Sequence, residues 1–119
     1  MKQLLYGVAY YFEYLPYDRI DQDIEMMKAA GINVVRIGES TWSTYGEFDF
    51  SKLIYTLDKM DKNGMKVIVG TPTYAFPTWL AKEYPDVLVE RQGNRLPYGA
   101  RQIMDITNPT FRFYAERII

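Results

Sequence analysis

Aromatic and charged side chains recur just after three short apolar runs of the chain. An aromatic ring covers the C–H face of a sugar, whereas arginine and carboxylate groups form forked hydrogen bonds with vicinal hydroxyls. This pattern indicates a surface suited to a polyhydroxyl substrate, although the same rings could instead pack beneath loops. The residues, run by run, are Tyr10, Tyr11, Phe12 and Glu13; Arg36, Glu39, Thr41 and Trp42; and Thr71, Thr73, Tyr74, Phe76 and Trp79.

Two of these residues, Glu13 and Glu39, form a candidate pair of reacting carboxylates. Glycosidases use two carboxyl groups, which lie about 5–5.5 Å apart in retaining enzymes and about 6.5–9.5 Å apart in inverting ones. Spacing along the chain does not give that distance. The alternative is that the two carboxylates brace Arg36 or cap loops.

Composition excludes several other chemistries. The 119 residues include neither histidine nor cysteine, so Ser–His triads, thiolate nucleophiles and most zinc sites are excluded. The net charge is -1, and this balance disfavours nucleic acid as a partner. No apolar run approaches the roughly 20 residues of a membrane span, and the N-terminus does not resemble a signal peptide. We therefore expect a cytoplasmic protein that does not bind a membrane.

The elements that must position these side chains alternate between strands and helices. Apolar and β-branched runs predict strands at residues 4–10, 32–37 and 65–70. A helical pattern over 17–30 stops at a glycine, and a second begins with Ser51 as its N-cap and also stops at a glycine. This order predicts βαβ units, a parallel sheet and the α/β class. Gly7, Gly38 and Gly70 stand alone, without dinucleotide or P-loop spacing.

Beyond Gly70 the chain becomes rich in turn-forming residues. We expect one or two helical turns over 78–84 and a long irregular stretch over 86–105. Asn108 followed by Pro109 predicts the start of a last helix, with asparagine as N-cap and proline in the first helical position. The length allows one domain at most.

Five motifs together resemble family 42 of the glycoside hydrolases. They are GVAYYFEYLP, GINVVRIGESTWS, FDF, KVIVGTPTYAFPTWLAKEYPDVL and YGARQIMDITNP. This family contains bacterial β-galactosidases built on a (β/α)₈ TIM barrel. The resemblance implies a retaining β-galactosidase acting on terminal β-D-galactosides, and it extends over essentially the whole chain.

The resemblance also implies site residues. Arg101 matches the family arginine that contacts the galactose hydroxyls, and Arg36 and Glu39 match a pattern that shapes and charges the floor of the pocket. Trp42 and Trp79 match family aromatics of the wall or the core. Three departures stand out. Phe12 replaces a usual proline, and the segment 42–50 is shorter than in other members. Residues 102–105 lack the cysteine that follows the site arginine in zinc-binding members, so neither a metal nor any other cofactor is implied.

The resemblance finally implies that residues 1–119 are an incomplete catalytic domain, covering about the first three βα units and ending inside the third helix. The acid/base and nucleophile carboxylates would then lie beyond Ile119, and we expect the chain alone to be inactive. The implied partners are a β-galactoside substrate and further copies of the chain, since members of the family are often trimers. Two alternatives stay open: a non-catalytic part-barrel that self-assembles or binds sugar, and a glycosidase of the same clan acting on another sugar.

Overall fold

The computed structural model describes residues 3–39, 48–73, 75–99 and 103–119. The chain divides into two compact units, residues 1–41 with 49–70 and residues 42–48 with 71–119. The first unit contains β1 (Gly7–Ala9), α1 (Ile20–Ala29), β2 (Val34–Ile37), α2 (Ser51–Lys62) and β3 (Lys66–Val69). The second contains α3 (Thr78–Glu83), β4 (Glu90–Arg91), β5 (Asn94–Arg95) and α4 (Pro109–Ile118).

The first unit is a three-stranded parallel sheet in the order β1-β2-β3. Val34 of the central strand is aligned with Gly7 on one side and with Lys66 on the other. Parallel neighbours need a crossover connection, and α1 and α2 provide the two crossovers. The predicted α/β class and parallel βα order are confirmed, and the three strands end at one common edge of the sheet.

Both crossover helices end in the same way. Gly31 and Gly64 follow α1 and α2 with φ angles of 79° and 69°. Beyond each glycine, a backbone N–H donates to a carbonyl five residues earlier, Ile32 to Met27 and Met65 to Met60, at 3.0 Å in both cases. This is the Schellman arrangement, in which a left-handed glycine lets the chain reverse directly into a strand.

The helices cover one face of the sheet. Val35 and Ile37 of β2 are buried against a core that includes Met27 of α1 and Met60 of α2. Successive side chains of a strand point to opposite faces, so Arg36 projects to the other face. On the flanking strands Val8 and Ile68 are also 42% and 53% exposed. The sheet thus has one covered face and one face with exposed apolar side chains.

Asn33 joins the chain before β1 to the start of β2. Its side-chain carbonyl accepts the N–H of Tyr6 at 2.9 Å, and its Nδ2 donates to the carbonyl of Leu4 at 2.8 Å. Its backbone N–H donates to Tyr6, and its backbone carbonyl accepts from Lys66. One residue therefore holds the amino-terminal ends of all three strands together.

The structure corrects the predicted start of α2. Ser51 is the first helical residue rather than the N-cap, which is Phe50, and no side chain caps the helix from that position. Asp49 accepts the N–H of Ser51 at 2.9 Å instead. An aspartate two residues before the amide that it binds forms a turn of the Asx type, and this turn supplies the acceptor expected of the serine.

The second unit has its own core, in which Phe76, Leu80, Val87 and Phe111 are buried. Within the predicted irregular stretch, β4 and β5 form a short antiparallel hairpin. Gln92 and Gly93 join the two strands, both with positive φ, as a two-residue hairpin turn requires. In the described part of the chain, no helix is long and apolar enough to cross a membrane.

We expect Gly7→Ala to destabilise the first unit. A Cβ at this position would overlap the backbone carbonyl oxygen of Val34 and lie 2.5 Å from its Cγ1. The Val34 carbonyl is fixed by the β1–β2 pairing and cannot move away from the new Cβ. We therefore expect the free energy of unfolding to fall by about 1–3 kcal/mol. Urea denaturation, monitored by circular dichroism, measures this loss in the free energy of unfolding. Val8→Ala trims an exposed neighbour and should change stability by less than about 0.5 kcal/mol; equal midpoints for the two variants would contradict the prediction.

Asn108 should contribute measurably to the second unit. Its Oδ1 accepts the N–H groups of Thr110 and Phe111 at 2.9 and 3.0 Å, and its Nδ2 donates to an Asp86 carboxylate oxygen at 2.8 Å. Asn108→Ala should cost about 1–2 kcal/mol through loss of the cap. Asn108→Asp keeps the acceptor but places a second carboxylate beside Asp86.

The two variants should differ in their pH dependence. Two ionised carboxylates repel each other, so the cost of Asn108→Asp should be larger at pH 7 than near pH 4, where carboxylates take up protons. The cost of Asn108→Ala should change less over this range, because this variant adds no charge beside Asp86. Urea midpoints at both pH values provide the test, and parallel pH profiles for the two variants would count against this account.

Candidate functional site

Arg36, Glu39 and Tyr11 meet at the carboxyl end of β1 and β2. The guanidinium Nη2 of Arg36 lies 3.2 Å from Oε2 of Glu39. The same carboxylate oxygen accepts a hydrogen bond from the Tyr11 hydroxyl at 3.4 Å. The structure therefore brings together two of the three predicted site residues and adds a tyrosine to them.

Backbone pairing beyond the strands places these groups. The N–H of Tyr10 donates to the carbonyl of Arg36 at 2.8 Å, and the N–H of Gly70 donates to the carbonyl of Ile37 at 2.7 Å. Gly38 then turns the chain with a φ of 91°, a conformation that L side chains rarely adopt. Glu39 is thereby directed back along the sheet edge toward Arg36.

Gly70 provides the space that Glu39 occupies. A Cβ at position 70 would lie 2.5 Å from Cγ of Glu39 and 3.3 Å from its Cδ. The carboxylate side chain therefore lies directly against the backbone at the end of β3. All three strands contribute to the arrangement: a tyrosine from the first, the ion pair from the second and a glycine from the third.

The ion pair remains available to a ligand. The Arg36 side chain is 51% exposed and that of Glu39 is 20% exposed. A cavity of about 300 Å³ lies beside it on the uncovered face, lined by residues that include Val8, Val34 and Ile68. Arg36 has donors beyond those that its partner uses, and the carboxylate has a second oxygen, so the pair can bind neighbouring hydroxyl groups at one time.

Other aromatics at the strand ends serve packing. Tyr10 and Phe12 are buried in the core between sheet and helices. The Tyr10 hydroxyl donates to Asp23 at 2.9 Å; burial raises the pKa of Tyr10, and the neighbouring carboxylate acts in the same direction. In the second unit Phe76 is buried, and Trp79 packs edge-on against Tyr114 with ring centroids 5.1 Å apart. For Tyr10, Phe12 and Phe76 the packing alternative is the correct one, while Trp79 is partly buried beside the core of the second unit.

Arg101, the third predicted site residue, lies outside the described residues, as do Thr41, Trp42 and Tyr74. Tyr98 and Asp105, which lie on either side of Arg101 in the sequence, both bind backbone carbonyls. The Tyr98 hydroxyl donates to the carbonyl of Phe76 at 2.8 Å. Asp105 donates through its backbone to Val87 at 2.7 Å.

The structure shows what one member of the candidate carboxylate pair, Glu39, binds. Glu39 is bound to Arg36, which agrees with the bracing alternative, while a reacting role for Glu13 and Glu39 stays a prediction. Within the described ranges, no group of three or more Asp and Glu residues is placed to hold a metal ion.

Sequence reasoning missed residues that act through long-range hydrogen bonds. It gave no bonding role to Asn33, whose bonds reach 29 residues back, or to Lys52, whose ammonium group reaches 37 residues back to the turn after β1. Asparagine before a β-branched strand and lysine in a first helical turn are ordinary at both places. No local pattern identifies the distant partners that they bind.

We expect Gly70→Ala to disturb the ion pair because the new methyl group displaces the Glu39 side chain. The Arg36–Glu39 separation should then exceed 4 Å in a crystal structure of the variant. The stability cost should be about 1 kcal/mol and should disappear in a Glu39→Ala background, which removes the colliding atoms. An intact ion pair in the variant, or an equal cost in both backgrounds, would contradict this account.

The comparisons with known proteins agree with the parallel βα arrangement. The sequence profile of glycoside hydrolase family 42, described as beta-galactosidase, matches residues 9–119. The chain is 36% identical over 118 residues to a beta-galactosidase of Thermus thermophilus and 38% identical over 118 residues to beta-galactosidase BgaH of Haloferax lucentense. Each alignment covers 95% of this chain and 18% of the relative.

Solved structures give the same result. The cold-adapted beta-galactosidase of a Rahnella species matches with a TM-score of 0.91 and 31% identity, over 99% of this chain and 18% of that one. The beta-galactosidase of Bacillus circulans matches with a TM-score of 0.89 and 30% identity, over 97% of this chain and 18% of that one. The chain thus spans about one fifth of the length of its relatives, and its βα units match the N-terminal part of their TIM barrels. The predicted resemblance is confirmed: this chain belongs to glycoside hydrolase family 42, the beta-galactosidase family.

Proposed function

We propose that these 119 residues are the galactose-holding part of a retaining β-galactosidase. The observation that carries the proposal is the solvent-accessible Arg36–Glu39 pair at the carboxyl end of a parallel sheet, the edge at which barrel enzymes place their sites. Arg101 is the third proposed contact, on the family resemblance. We place the enzyme in the cytoplasm as a homo-oligomer without a cofactor.

In this proposal the chain binds and orients the sugar, and other parts of the barrel react with it. A carboxylic acid protonates the glycosidic oxygen, a second carboxylate attacks the anomeric carbon, and water then releases the sugar. Arg36 donates to ring hydroxyls, and Glu39 accepts from them. Contacts that strengthen as the sugar ring changes shape stabilise the transition state and not only the bound substrate.

The test uses a chimera in which this chain replaces the matching 118-residue segment of the Thermus thermophilus relative. We expect the chimera to hydrolyse nitrophenyl β-galactoside and the 119-residue chain alone to give no turnover. Arg101→Ala in the chimera should lower kcat/KM for the galactoside by about 10- to 100-fold. This is the loss expected when hydrogen bonds from a charged group to the substrate are removed.

Arg95→Ala is the matched control, because Arg95 is an exposed arginine on the hairpin of the same unit. Its kcat/KM should equal that of the parent chimera. Nitrophenyl glucoside and fucoside separate the alternatives: a loss confined to galactosides supports the proposal, whereas an equal loss on all sugars indicates another specificity. An inactive chimera beside an active parent enzyme, or turnover by the isolated chain, would refute the proposal.

A further inference from the structure

The turn that follows β1 is held by a lysine from a distant helix. The residues Phe12–Tyr14 form one turn of 3₁₀ helix, and Leu15 follows it. Nζ of Lys52, in the first turn of α2, donates to the carbonyl of Leu15 at 2.5 Å and lies 3.4 Å from the carbonyl of Glu13. The Lys52 ammonium thus joins the end of this turn to the start of α2.

This contact suits the chemistry of both groups. Carbonyls at the end of a helical turn lack N–H partners within the turn and attract a cation. An ammonium group has three donors, and here it also lies 5.1 Å from the ring centroid of Tyr17, within the range of a cation–π contact. Lysine head groups usually extend into water; this one is half-buried and directed at backbone carbonyls.

The turn carries Tyr11 to the candidate site. The N–H of Tyr14 donates to the carbonyl of Tyr11 at 3.2 Å, and the N–H of Leu15 donates to that of Phe12 at 3.1 Å. Phe12 is 1% exposed and fixes one side of the turn in the core. The Lys52 ammonium fixes the other side, so a continuous set of contacts runs from α2 through the turn to the Tyr11 hydroxyl and on to Glu39.

We propose that Lys52 is a positioning residue for the sugar site. By binding the carbonyls of Glu13 and Leu15, it fixes the turn in the position from which the Tyr11 hydroxyl reaches Glu39. The tyrosine in turn orients the Glu39 carboxylate toward Arg36. The proposal deepens the proposed function and rests on it for the part that concerns catalysis. Its structural part, the fixing of the turn, stands independently.

The chain provides a matched control in the same helix. Lys59 lies two turns after Lys52, binds both carboxylate oxygens of Asp21 at 2.7–2.8 Å, and lies 5.5 Å from the ring centroid of Tyr55. Like Lys52 it lies against a tyrosine ring, but its ammonium group pairs with a side-chain carboxylate of α1 instead of the backbone carbonyls of the turn after β1. Lys52→Met and Lys59→Met therefore remove equivalent groups, and only the first affects the turn.

The first experiment measures amide hydrogen exchange in the 119-residue chain. Lys52→Met should speed exchange at Tyr14 and Leu15 by about tenfold, because their N–H groups close the turn that the lysine holds. Lys59→Met should leave both rates unchanged, and Lys52→Arg should restore them, since a guanidinium group can donate to the same carbonyls. Unchanged exchange in Lys52→Met would overturn the proposal.

The second experiment measures kinetics in the chimera described above, at a temperature where all variants are folded. Lys52→Met should lower kcat/KM for nitrophenyl β-galactoside by about tenfold, as a small displacement of a binding group does. Lys52→Arg should lie within about threefold of the parent, and Lys59→Met should equal it. Faster exchange with unchanged kcat/KM would refute the positioning role. An inactive parent chimera would refute the proposed function alone, and the exchange experiment would still decide whether Lys52 holds the turn.

Discussion

A parallel sheet requires the chain to return to the same end of the sheet before each new strand, and the structure of the first unit depends on how this return is made. Both returns use an amphipathic helix, a left-handed glycine and a hydrogen bond five residues back into the last helical turn. Because the two returns are alike, β1, β2 and β3 begin and end together. Asn33 reinforces the alignment at the amino-terminal ends.

Close approach to the backbone at two glycines shapes both edges of the sheet. Gly7 lets β1 approach the Val34 carbonyl, and Gly70 lets the Glu39 side chain lie against the backbone after β3. Gly31 and Gly64 have a positive φ angle, whereas Gly7 and Gly70 do not. Their value is the absence of a side chain, and the ion pair at the sheet edge relies on the space that Gly70 leaves.

The sequence predicts what local patterns encode. Gly31 and Gly64 mark the helix ends, Asn108 with Pro109 marks the start of α4, and β-branched runs mark the second and third strands. The β4–β5 hairpin was missed because its strands are two residues long, polar and exposed. The Tyr11–Glu39 and Lys52–Leu15 contacts were missed because they join residues 28 and 37 positions apart. Arg36 and Glu39 were found because they lie within and just after the carboxyl end of a predicted strand and match a family pattern.

The uncovered sheet face, with its exposed Val8 and Ile68, bears on how the chain folds. The parallel pairings that build the sheet are not local: Gly7 pairs with Val34 and Val34 with Lys66, which lie 27 and 32 positions apart. Pairing over such separations is slow, and apolar surface that is exposed in the meantime favours aggregation. The open face is therefore the surface through which we expect partly folded chains to associate.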